Sequence, residues 1–153
     1  MFLRSLLPLS CTLLAFQATA ACQSDFTAIA NIQGAADKSP QLGKTLTTQG
    51  VVIGTLYRHS KQPQLLIQSQ TPDQHNNTSE ALLIADAKLA TLYKVGQLIE
   101  LTGTVRELQQ MTALTNISHS AVCAEQVSVR ATNLKLPVQQ LSDWEALEGQ
   151  YLE

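Results

Sequence analysis

The chain has 153 residues, with 10 Lys and Arg against 12 Asp and Glu and a formal net charge of −2. Charged residues make up only 14% of it, and that balance argues against a strong phosphate-backbone binder, which needs clustered cations to displace counterions. The length suits one domain, and the many Gln, Thr, Ser and Asn suit a polar exported surface.

Residues 1–21 have the three parts of a secretory signal: Arg4, an apolar run from Leu6 to Phe16, and Ala18-Thr19-Ala20 as a small-x-small cleavage site. The apolar run is short for a bilayer span and has no stop-transfer flank. The predicted location is therefore exported, periplasmic or extracellular, with no stable membrane span after cleavage. Cleavage removes Arg4 and Cys11, leaving nine Lys and Arg, a charge of −3 and two cysteines, Cys22 and Cys123. An even pair in an exported domain favours a disulfide, which would close a loop of about 100 residues and contribute roughly 4–5 kcal/mol in the chain-entropy picture. Lipidation of Cys22 is the alternative, although Thr19-Ala20-Ala21-Cys22 lacks the large aliphatic residue of a good lipobox.

Phe26 to Gly34 comes next and runs into a Gly-Ala-Ala-Asp-Lys-Ser-Pro loop ending at Pro40. Leu42-Gly43-Lys44 opens a β-branched strand reaching Gly54, in which Gly50 and Gly54 predict coiling or a bulge. Tyr57 to Pro63 is a polar turn, Gln64–Gln68 a second strand, 69–79 a polar loop and Glu80–Ile84 a third strand. Leu89, Leu92 and Tyr93 lie at helical spacing, so a short helix is expected over 85–93, with Gly96 at a position needing positive φ. Leu98–Leu108 is the clearest strand, with Ile99, Leu101, Gly103 and Val105 on one face. Gln109-Gln110 is its turn, and Met111–Ile117 returns as its partner with Leu114 facing the core. Ser142-Asp143-Trp144-Glu145 fits a capping box with Ser142 as N-cap, and Trp144 is expected to pack on the barrel with Leu141 and Leu147.

Three strands, a short helix and two strands make an all-β, five-stranded, OB-fold-like Greek-key barrel with a short C-terminal helical turn. The expected division is 1–21 signal peptide, 22–138 barrel and 139–153 helical extension.

Several segments resemble the OB-like domain near the N-terminus of bacterial extracellular endonucleases. They are Ile32-Gln33-Gly34, Gly43 to Val52, Leu66-Ile67-Gln68, Val95-Gly96-Gln97, Leu101 to Glu107, Thr112 to Asn116, and Trp144-Glu145 with Glu148-Gly149. In that family the domain precedes an endonuclease/exonuclease/phosphatase catalytic domain, so the resemblance implies an accessory role that holds nucleic acid for a catalytic neighbour. Two departures stand out. The family's Gly-aromatic-aromatic run before Gln68 is here Gln64-Leu65-Leu66-Ile67, which removes the aromatic platforms OB domains use to stack bases. The matched segments also stop before the catalytic domain, so no hydrolysis is expected of this chain alone.

The candidate nucleic-acid contacts are Arg58, His59 and Lys61 in the first turn, with Gln68 and Arg106 on the barrel; a solvated turn tip is the competing reading of the basic trio. No catalytic set, metal site or cofactor motif is legible: the acidic residues are scattered, and His59, His75 and His119 lack ligand spacing. Expected partners are DNA or RNA, bound weakly, and a nuclease catalytic domain or another exported protein. A module docking a separate enzyme or envelope protein is the alternative function, and its sign would be an exposed apolar patch at Leu65, Leu66 and Ile67. A complete miniature nuclease is a third reading.

Overall fold

Ile29 and Ile32 reach the barrel interior from a five-residue helix, α1 (Ile29–Gln33), that the sequence did not announce. It has no side-chain N-cap and is far below the length at which a helix holds in isolation, so it exists because its two isoleucines are buried. In this computed structural model residues 22–153 are described, apart from 74, 135 and 139. The expected signal peptide and Cys11 lie outside the described residues.

The predicted strands follow as β1 (Thr45–Leu56), β2 (Gln64–Gln68), β3 (Ala81–Ile84), β4 (Leu98–Leu108) and β5 (Met111–Ala124). Helix α2 (Ala87–Leu92) sits between β3 and β4, and α3 (Leu141–Glu145) follows the barrel. The strands close into a barrel in the order β1-β2-β3-β5-β4, antiparallel except for β3 beside β5. This is the OB-type Greek-key closure the element order predicted.

Closure depends on β1 serving two neighbours. Its first half pairs with β4 from Thr45 to Val51, and its second half pairs with β2 from Val51 to Leu56. The strand bends between them, with a register shift between Val52 and Gly54, as the glycines in the run predicted. Gly50 is required by close approach, because a Cβ there would stand 2.9 Å from Ile67 Cδ1. The interior is filled by Val52, Leu65, Ile67, Leu82, Ile84, Ile99, Leu101, Val105 and Leu114. α2 adds Leu89 and Ala90, and its Asp86 N-cap accepts from the N–H groups of Lys88 (2.9 Å) and Leu89 (3.0 Å).

The N-terminus is stapled. Cys22 and Cys123 form a disulfide with Cα atoms 5.3 Å apart, closing a span of 101 residues. Beside it the buried Glu100 carboxylate accepts from the Gln23 N–H (2.8 Å) and the Gln49 amide (2.9 Å). The C-terminal turn differs from expectation. α3 begins at Leu141, so Ser142 lies within it, and Asp143 reaches back to the Gln140 N–H at 3.1 Å. Trp144 is 51% exposed rather than packed on the barrel.

Candidate nucleic-acid interface at one end of the barrel

β1 leaves the sheet at Leu56 into a turn whose residues Tyr57 to Gln62 are all exposed. Tyr57 takes a positive φ of 51°, and the Ser60 N–H closes the turn onto the Tyr57 carbonyl at 2.8 Å. The turn is thus internally bonded and carries Arg58, His59 and Lys61 at its tip.

The facing bank is the end of α2. After Tyr93 the chain passes Lys94 and Val95 and reverses at Gly96 (φ 89°), whose N–H bonds to the Val52 carbonyl at 2.9 Å. Between the banks lies a cleft of about 310 Å³. Val52, Ala90 and Val95 supply apolar lining, Thr55, Thr91 and Tyr93 supply polar edges, and Arg58 and Lys94 supply two cations. Among the described residues, no carboxylate lines it. The size lies at the lower bound of small-ligand clefts. Two unopposed cations beside an aromatic ring are the elements that hold a phosphate and stack a base.

Lys94 and Tyr93 were not candidates on sequence. In the chain Tyr93 reads as a helix residue and Lys94 as a helix end, more than 30 positions from Arg58. The barrel topology supplies the missing signal: β1 and β3 both run toward this end, so the β1–β2 turn and the β3–β4 connection must meet there.

The other candidates are placed elsewhere. Arg106 is exposed on β4 beyond the Thr45–Thr104 pair, while Arg58 lies beyond Leu56, so the full length of β1 separates them. Gln68 is 1% exposed. Its amide donates to the Arg130 carbonyl (3.1 Å) and its oxygen accepts from the Tyr151 N–H (2.9 Å), so both ends serve the C-terminal segment. Leu65 and Ile67 point into the core, and Leu66 lies beside Gly149, so the apolar patch that would mark a protein-docking face is not exposed.

Among the described residues, no group of three His, Cys, Asp or Glu is arranged to hold a metal ion, and no helix is long and apolar enough to cross a membrane. His119 approaches Glu100 at 3.6 Å on the opposite side of β4 from the core. One carboxyl is clearly perturbed: burial pushes Glu148 up to about 7.

No protein-family model and no curated protein matches the chain. Among solved structures it is similar to one described as an aspartyl-tRNA synthetase from Leishmania major Friedlin, at 11% identity and a TM-score of 0.44. The similarity covers 87% of this chain and 30% of that one, so the chain spans under a third of that protein's length.

Proposed function

We propose that this OB-type barrel is an exported, non-catalytic module that binds single-stranded nucleic acid weakly at the barrel end between the β1–β2 turn and α2. Arg58 and Lys94 take phosphates, Tyr93 offers a ring to a base, and His59 and Lys61 extend the positive edge of the turn. The observation that carries this reading is the carboxylate-free cleft with Arg58 and Lys94 on its two banks. The disulfide is what an oxidising compartment maintains, which supports export. In the setting implied by the resemblance to extracellular endonucleases, the module holds the strand for a catalytic domain that does the cutting.

Few cations make the binding weak and salt-sensitive. Each phosphate contact to a single strand contributes a salt slope of about −0.7, so two to four contacts give roughly −1.5 to −3. Fluorescence anisotropy with a single-stranded DNA at low salt tests the reading. Arg58→Ala and Lys94→Ala should each weaken binding about three- to tenfold and flatten the salt slope by about 0.7. Absence of binding at micromolar protein, or binding indifferent to both substitutions, rejects it.

A further inference from the structure

The face that OB barrels commonly offer to ligands, the outside of strands 2 and 3, is occupied here by the chain's own C-terminus. Residues 146–152 cross it through a series of contacts. Ser79 Oγ donates to the Glu148 carbonyl (2.7 Å), and the Thr112 N–H donates to Glu148 Oε1 (3.1 Å). Gly149 (φ 65°) passes so close that a Cβ would stand 3.3 Å from Leu66 Cδ2 and 3.5 Å from Ala81 Cβ. Gln68 then holds the Tyr151 N–H, and Leu152 bridges to Thr132. Beside Gly149, Ala81 of β3 is 0% exposed.

Glu148 stands at the centre of these contacts. Its carboxyl accepts from the Thr112 N–H of β5, and the charges that act on it are those of Glu145 of α3 and Glu107 of β4, with no cation among them. The strap also borders a cavity of about 700 Å³ whose titratable lining is Asp73, His75, Glu80 and Asp143. Burial first, then repulsion from Glu145 and Glu107, raises the Glu148 carboxyl from 4.5 to about 7, against the opposing Thr112 and Gln33 hydrogen bonds.

We propose that residues 146–152 are a latch over the β2–β3 face, closed while Glu148 carries a proton and released when it ionises. The sign follows from linkage. Below 4.5 the carboxyl is protonated whether the latch is closed or open, and closure is unpenalised. From there to about 7 the open form ionises while the closed form keeps its proton, so closure weakens with rising pH and levels off above that value. Full burial would make this shift worth a few hundredfold; Glu148 is half-buried, so the expected change in the open-to-closed ratio is about ten- to a hundredfold. The latch does not depend on the nucleic-acid reading, because the readout is the strap itself.

Heteronuclear NMR on the full exported chain tests it. The Tyr151 and Gly149 amides and the Gln68 side-chain amide should shift together between about pH 5 and about pH 8. The carboxyl carbon of Glu148 in the unaltered chain should titrate in step with them. Glu148→Gln, a permanently neutral isostere, should hold the closed signals at both pH values. Gly149→Val, which adds a side chain against Leu66 at a positive φ, should show the open signals at both. Amides that do not move with pH, a Glu148 midpoint below about 5, or a transition that survives in Glu148→Gln and so belongs to another group overturns the latch.

Discussion

The end of the barrel and its β2–β3 face are built from the same kind of sheet, yet one is open and the other is filled. At the end, Arg58, Lys94 and Val95 stand around a cleft that the chain leaves empty, and Val95 is 66% exposed. On the face, Ala81 beside Gly149 is 0% exposed, and the Gln68 amide is bonded at both ends, to the Arg130 carbonyl and to the Tyr151 N–H. The difference shows that an OB topology does not by itself decide which surface is available. A segment that follows the barrel in the chain can take the usual face, leaving loops and helix ends to meet a ligand.

The sharpest way to break the comparison is to put a charge on each surface. Ala81→Asp, at a fully buried position against Gly149 of the strap, puts an unpaired carboxylate there and should cost about 3 kcal/mol or more in urea denaturation. Val95→Asp, at the exposed end, should change stability by less than about 0.5 kcal/mol. Equal costs would mean the face is not covered as described. Next in size, Gln68→Ala leaves the Tyr151 N–H and the Arg130 carbonyl without their partner and should cost about 1–3 kcal/mol, while single-stranded DNA affinity stays within about twofold. A large loss of affinity would return Gln68 to the interface. Smallest of all, Arg106→Ala should leave DNA affinity nearly unchanged, because the length of β1 lies between it and the cleft; a loss comparable to Arg58→Ala would show that the two ends act together.

Much of the barrel was legible because its signals are local. Ile99, Leu101 and Val105 alternate strictly and face the core, Gly50 and Gly54 flank the bend of β1, and Gln109-Gln110 makes the β4–β5 turn with both φ values positive, at 52° and 68°. The Cys22–Cys123 pairing was expected of the two cysteines left once Cys11 is set aside with the expected signal peptide. The candidate cleft was legible only in part. Arg58, His59 and Lys61 lie within four residues of one another in the chain, whereas Lys94 joins Arg58 at the cleft through the barrel closure. Gln68 was a candidate on sequence but is bonded to Arg130 and Tyr151, and nothing near it in the chain announces partners more than 60 positions away. α1 was missed because burial of Ile29 and Ile32, rather than propensity or capping, makes it a helix.

Chemical-shift mapping of the labelled chain titrated with a single-stranded DNA at low salt and about pH 5, where ionisation of Glu148 has weakened closure little, bears on both surfaces at once. Shifts should concentrate at Tyr57–Lys61 and Thr91–Gly96, with Gln64–Gln68 and Ala81–Ile84 silent. Shifts centred on β2 and β3, or no shifts at all, would contradict binding at the barrel end.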